Sequence, residues 1–166
     1  TFLQDRDLTH FIDEARELLA MWPDRFVTPL DLAYEKDGER FESDVLEIVE
    51  RDELQTKLFP DLGSKSIELY KTEIAKAGSV FVNGPAGVYE DSRWEKATKE
   101  IWKAIAACNA YNVIGGGDTI TAATKFTNLE DYSYVCTAGG AMVRFLSGKK
   151  LPLILAMEKA WERDKE

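Results

Sequence analysis

The sequence predicts an α/β domain: a Rossmann-like three-layer sandwich with a mainly parallel sheet. Three observations predict it. Short β-rich runs alternate with helix-length amphipathic segments, the pattern of a parallel sheet crossed by helices. Three of these runs, Val80-Phe81-Val82, Asn112-Val113-Ile114 and Tyr134-Val135-Cys136, each end on a glycine-bearing turn. The 166 residues are 45% hydrophobic and 31% charged, enough for one domain with its own core. No repeat, low-complexity tract or internal linker divides residues 1–166.

The elements follow in order. Residues 9–22 carry Phe11, Ile12, Ala15, Leu18 and Leu19 at helical spacing, and Pro23 closes the helix. Arg25-Phe26-Val27-Thr28 reads as a strand. Leu32-Ala33-Tyr34 and Arg40-Phe41 flank Lys36-Asp37-Gly38, a hairpin signal. Residues 44–59 are acidic and mixed and receive no assignment; the acids from Glu47 to Glu53 read as a solvated face. A helix over 64–77 turns Ile67, Leu69 or Tyr70, Ile74 and Ala77 inward, with Gly78 as its stop. Strand 79–82 follows. Ser92 and Glu95 are spaced as a capping box for a helix bearing Trp94, Ala97, Ile101, Ile105 and Cys108. Strand 111–114 leads through three glycines into a small-residue helix. Leu129 to Tyr132 connects to strand 133–136. A helix over 139–147 stops at Gly148, and a last one runs over 151–165.

Bulk properties exclude several functions. A formal net charge of −9 argues against a nucleic-acid or anionic-membrane surface. No stretch reaches the roughly 18 apolar residues of a membrane span. Cys108 and Cys136 lie far apart without a partner pattern, so neither a zinc site nor a disulfide scaffold is suggested, and reduced thiols fit a cytoplasmic location. The only histidine, His10, lies far from every motif, and no Ser-His or Cys-His arrangement can be built around it. Residue 1 is not Met, so a cut or processed start is expected.

The chemistry lies in the turns. Gly115-Gly116-Gly117-Asp118-Thr119 bends tightly at a helix start and leaves backbone N–H groups open to an anion. Asp118 sets a carboxylate beside that anion site, which makes sense with a divalent cation between them. A tight turn with Asp118 as N-cap is the competing reading. Asn83-Gly84-Pro85-Ala86-Gly87 and Thr137-Ala138-Gly139-Gly140 follow the other two strands. If the strands are parallel neighbours, all three turns share the carboxyl edge, where open α/β sheets bind ligands. Three such turns within about 60 residues exceed what loop chemistry alone requires. Trp94, Trp102 and Trp161 read as core or edge packing, and Lys149 and Lys150 as charge complementing a helix end.

These residues carry a resemblance. Val82 to Glu90 resembles the WNGPxGVFE motif of phosphoglycerate kinases, and Gly115 to Thr119 their GGGDT. Cys136 to Ala141 resembles their STGGGA, and Leu146 to Pro152 their LxGKxLP. Order and spacing agree, strongly from Asp61 to Ala156 and more weakly before. The hairpin Tyr34 to Arg40 is similar to that of archaeal members.

The resemblance implies a partial C-terminal lobe of a two-lobe kinase. The expected reaction is reversible phosphoryl transfer between 1,3-bisphosphoglycerate and ADP, giving 3-phosphoglycerate and ATP. It implies nucleotide contacts from Asn83, Pro85, Val88, Glu90, Gly115, Gly116, Gly117, Asp118, Thr119, Thr137 and Ala138. Glu90 would accept from ribose hydroxyls and Val88 would pack on the base. Asp118 would hold Mg²⁺ on ADP or ATP, and Gly117, Gly139 and Gly140 would stabilise the phosphoryl group in transfer. Read without the motif, Glu90 is a helix-start acid and Val88 a core residue. Ala138 stands where the family carries the first of three glycines. The 3-phosphoglycerate-binding amino lobe, and the lysine-bearing GGAKxxxK segment with its glycine strand, would precede Thr1-Phe2-Leu3, which resembles the end of an NTFL sequence. Such a piece is expected to expose sheet edges and to self-associate, whereas the parent would be a monomer. It is also expected to lack turnover, as a weak nucleotide-binding module or one that does not bind. An unrelated dinucleotide-binding α/β protein is the third reading, weakened because no turn spells G-x-G-x-x-G.

Overall fold

The computed structural model describes residues 2–51 and 58–163. The part of the acidic run at 52–53 and the end of the last predicted helix at 164–165 lie outside the described residues.

The chain opens with a one-turn helix α1 (Phe2–Asp5) and helix α2 (Phe11–Met21). The expected apolar stripe of α2 is present, but none of its residues is buried. Pro23 starts a 3-10 turn, Pro23–Arg25. The strand expected over 25–28 does not form: Phe26 has extended dihedrals (φ −113°, ψ 128°), yet no neighbouring strand among the described residues pairs with it, and Pro29 removes a donor.

The hairpin stands as expected. β1 (Asp31–Lys36) pairs antiparallel with β2 (Glu39–Asp44). Asp37 (φ 53°) and Gly38 (φ 83°) both take positive φ, the type I′ geometry that matches strand twist. Across it, Tyr34 and Phe41 stack at 6.2 Å. The unassigned region supplies α3 (Val45–Glu50), which buries Ile48. A two-residue strand β3 (Asp61–Leu62), not foreseen, pairs with the other edge of β1. Helix α4 (Ser64–Lys76) is capped from β1: the Asp31 carboxylate accepts from the N–H groups of Lys65 (3.0 Å) and Ser66 (2.8 Å).

The second sheet holds β4 (Ser79–Val82), β5 (Tyr111–Gly115) and β6 (Tyr134–Cys136), all parallel, in the order β4-β5-β6. Between them run α5 (Lys96–Ala107) and α6 (Gly117–Phe126); α7 (Gly139–Leu146) and α8 (Pro152–Arg163) follow. The Ser92–Glu95 capping box does not form. The Asp91 carboxylate instead takes the Arg93 N–H (2.9 Å) in a turn, and α5 begins later, where Asp61 of β3 accepts from the Ala97 N–H (3.3 Å). Trp94 is buried outside the helix rather than on it.

One face of the parallel sheet is closed. Val80, Val82, Ile114 and Val135 pack with Ile67 of α4, Ile101 and Trp102 of α5, and Ala122 and Ala123 of α6. Alternation along the strands turns Phe81, Tyr111 and Tyr134 to the other face, where they are 41%, 60% and 55% exposed. The α/β class and the parallel sheet stand; on this second face the described residues bring Met142 of α7 against Gly115. No helix among the described residues is long and apolar enough to cross a membrane.

Candidate functional site: three turns converging on one sheet edge

The parallel order of β4, β5 and β6 sets their three following turns side by side. Gly116 takes φ +102°, a conformation open to glycine, and its N–H donates to the Cys136 carbonyl at 3.0 Å. Its neighbour across the edge is Gly139. A Cβ on Gly139 would lie 2.7 Å from the Gly116 Cα and 2.9 Å from Asn83 Oδ1. A Cβ on Gly116 would lie 3.0 Å from that same oxygen. Asn83, Gly116 and Gly139, one from each turn, therefore meet with no space for a side chain between them.

This contact brings two helix starts together, α6 at Gly117 and α7 at Gly139. The opening N–H groups of a helix have no intrahelical acceptor, and the dipole there favours negative charge. Gly117 and Gly140 have open space above them, with no heavy atom within 4 Å of where a Cβ would stand. An anion can approach both backbones.

Beneath the edge lies Thr119. It is 1% exposed, its hydroxyl accepts from the Gly84 N–H at 2.7 Å, and its carbonyl accepts from Trp102 Nε1 at 3.3 Å. The resemblance counts Thr119 among the nucleotide contacts; in the fold its hydroxyl ties the β4 turn to α6.

Asp118 is exposed in the first turn of α6. No group of three His, Cys, Asp or Glu among the described residues is arranged to hold a metal. One outward carboxylate suits Mg²⁺, which keeps waters and takes its remaining ligands from substrate phosphates. Thr137 and Ala138 are exposed at the start of α7. Ala138 has φ −94°, so alanine is accommodated without left-handed strain.

The nucleoside-side candidates lie along the β4 turn. Asn83 and Glu90 are exposed and Pro85 half-buried. Val88 is 40% exposed, which removes the core-packing reading; its N–H donates to the Pro60 carbonyl (2.8 Å). Glu90 sits in a turn well before Lys96 opens α5, so it is not a helix-start acid. Burial first, then the carboxylates of Glu90 and Asp118, push the Tyr89 phenol above its ordinary range, against the pull of Lys125.

Two participants escaped the sequence reading. Lys125 donates to the Tyr89 carbonyl at 2.6 Å and pairs with Glu95 at 2.8 Å; its seven-residue spacing from Asp118 on α6 was the available signal. Asp61 reaches the site region from a distant element, and nothing local announces it; Trp102 is buried in the core, as its reading as a packing residue expects. His10 lies against Phe11, ring centroids 4.1 Å apart and tilted by 40°, and takes no part. Trp161 is exposed.

The fold and this edge define a class: an α/β lobe in which two helix N-termini converge on a glycine-lined sheet edge. A sequence profile of the family "Phosphoglycerate kinase" matches residues 3–149. The chain is 43% identical over 156 residues to the phosphoglycerate kinase of Methanopyrus kandleri, spanning 94% of this chain and 37% of that protein. It is 36% identical over 163 residues to that of Methanococcus maripaludis, spanning 98% and 38%. Its backbone matches the crystal structure of the Pyrococcus horikoshii enzyme with a TM-score of 0.79 and 30% identity, over 97% of this chain and 39% of that one. The Coxiella burnetii structure matches with a TM-score of 0.74 and 29% identity, over 85% and 37%. The chain belongs to the phosphoglycerate kinase family. It spans about two-fifths of the length of the relatives it matches.

Proposed function

We propose that this chain is the nucleotide-holding part of a phosphoglycerate kinase, and that the whole protein moves a phosphoryl group reversibly between 1,3-bisphosphoglycerate and ADP. The observation that carries this reading is the contact of Asn83, Gly116 and Gly139, which aims two helix N-termini at one edge beside the exposed Asp118.

In this reading the diphosphate lies along residues 115–119, with the N–H groups of Gly117 and Asp118, at the open start of α6, toward its oxygens. Glu90 accepts from the ribose hydroxyls and Val88 packs against the base, with Asn83 and Pro85 shaping the turn between them. Bound Mg²⁺ supplies charge neutralisation on the phosphate oxygens, and Asp118 holds it. The N–H groups of Thr137, Ala138, Gly139 and Gly140 face the transferring group together with Gly117, where negative charge is spread over three oxygens in the transition state. The acyl–phosphate P–O bond breaks as a terminal ADP oxygen bonds to phosphorus. The electron pair leaves with the carboxylate of 3-phosphoglycerate, so no proton or redox partner is needed.

The 3-phosphoglycerate lobe belongs to the remaining three-fifths of such a protein. By itself this chain is therefore a nucleotide-binding module without turnover, and its exposed sheet face favours self-association, whereas the whole protein works as a monomer in the cytoplasm. The chain given Mg·ATP and 3-phosphoglycerate is expected to release no ADP above background in a coupled assay. Binding separates the readings: titration with ADP and with NAD should give Mg²⁺-dependent heat for ADP alone. Mg²⁺-independent binding of NAD would contradict the kinase reading and favour the dinucleotide one.

A further inference from the structure

Helix α6 grips the β4 turn at two places. Near its start, Thr119 takes the Gly84 N–H at 2.7 Å. Near its end, Lys125 Nζ donates to the Tyr89 carbonyl at 2.6 Å. The six-residue step from Thr119 to Lys125 spans about 9 Å of helix axis. Lys125 is further held by Glu95 Oε2 at 2.8 Å, and its ammonium lies over the rings of Phe126 (5.1 Å) and Tyr89 (5.8 Å). Those rings meet edge to face at 6.4 Å. One cation thus joins α6, the carbonyl of Tyr89 and the segment leading to α5.

Tyr89 stands between Val88 and Glu90, and Asp118 opens the helix that carries Lys125. We propose that Lys125 is a positioning residue: through the Tyr89 carbonyl it fixes Val88 and Glu90 at a set distance from Asp118, so that nucleoside recognition depends on it and phosphate recognition does not. The inference rests on the nucleotide reading above for its ligand, and on the contacts alone for the tether. A charge-assisted hydrogen bond is stronger than a neutral one. Its loss would leave the Tyr89 carbonyl unpaired and Glu95 without its cation, while the Gly84–Thr119 grip continues to hold the phosphate side.

The test compares the wild-type chain with Lys125→Met and Lys125→Arg. Met keeps the apolar stem and loses the charge; Arg restores a cation and donors. The probes are Mg·ADP and Mg·pyrophosphate, titrated calorimetrically, with amide hydrogen exchange of residues 83–95 measured on the free proteins. We expect Lys125→Met to weaken Mg·ADP on the order of ten-fold, the scale of one charge-assisted hydrogen bond, with Mg·pyrophosphate changed less than about two-fold on the same scale. Exchange should quicken at 88–91 and stay unchanged at 111–116, and Lys125→Arg should recover most of both effects. Equal weakening of both probes, or exchange at 88–91 unaffected by the substitution, would overturn the proposal. A wild-type chain that takes neither probe, yet shows Lys125-dependent exchange at 88–91, would support the tether and contradict the nucleotide reading instead.

Discussion

Gly139 and Gly116 approach so closely that a Cβ on Gly139 would lie 2.7 Å from the Gly116 Cα. That contact closes β5 and β6 into one edge and aligns the starts of α6 and α7. Two successive glycines at the start of α7 are thereby distinguished by function in the fold: Gly139 is fixed by its neighbour, and Gly140 faces open space. Gly139→Ala should destabilise the chain by about 1–3 kcal/mol, the cost of overpacking against backbone that cannot give way. Gly140→Ala, inside α7 and without positive φ, should be neutral or stabilise by roughly 0.5–1 kcal/mol through the unfolded chain. Urea denaturation of the two variants checks the contrast, and equal midpoints would refute it.

A second expectation concerns Thr119. Its hydroxyl is the acceptor for the Gly84 N–H, and it is 1% exposed. Thr119→Val keeps the shape and removes the acceptor, leaving a part-buried N–H unsatisfied at a cost of about 1–3 kcal/mol. Thr119→Ser should lose less. Denaturation of the two variants measures this, and a Val variant as stable as wild type would show that Gly84 finds another partner.

Acid stability should report on Glu42. Burial alone would raise its carboxyl, but hydrogen bonds from the Ser64 hydroxyl, Arg40 and the Ser64 N–H bring it from 4.5 down to about 2. A folded value below the unfolded one means that Glu42 stabilises fully above pH 4.5 and loses that contribution as pH falls toward about 2. Solvent screening of this partly exposed group leaves the separation worth on the order of 1 kcal/mol at neutral pH. Asp61 acts in the opposite sense: burial raises its carboxyl, so its protonation offsets part of the loss. Glu42→Gln should flatten the fall in melting temperature between pH 4.5 and 2. An unchanged acid profile would show that this carboxylate is not linked to folding.

The parallel sheet was legible because its signals are local. β-branched and aromatic runs end on glycines at each of the three turns, and Asp37-Gly38 spells its own hairpin. The features missed depend on distant partners. β3 is two residues long and exists because β1 offers it an edge. The start of α5 depends on Asp61, which lies on another sheet, so the local Ser92–Glu95 spacing misled. Residues 25–28 have strand composition but no ladder to join. At the candidate site the backbone turns were readable from glycine alone. The inward role of Thr119 and the Lys125 tether depended on how α6 lies across the β4 turn, which no local pattern encodes.

The most direct measurement is calorimetric titration of the chain with ADP, with and without Mg²⁺, beside Asp118→Ala. The account predicts binding that weakens when either Mg²⁺ or the Asp118 carboxylate is removed, with the two losses failing to add because they remove the same interaction. Binding of ADP by the folded chain that is indifferent to both would contradict the assignment of Asp118 and of the glycine edge as the nucleotide phosphate site.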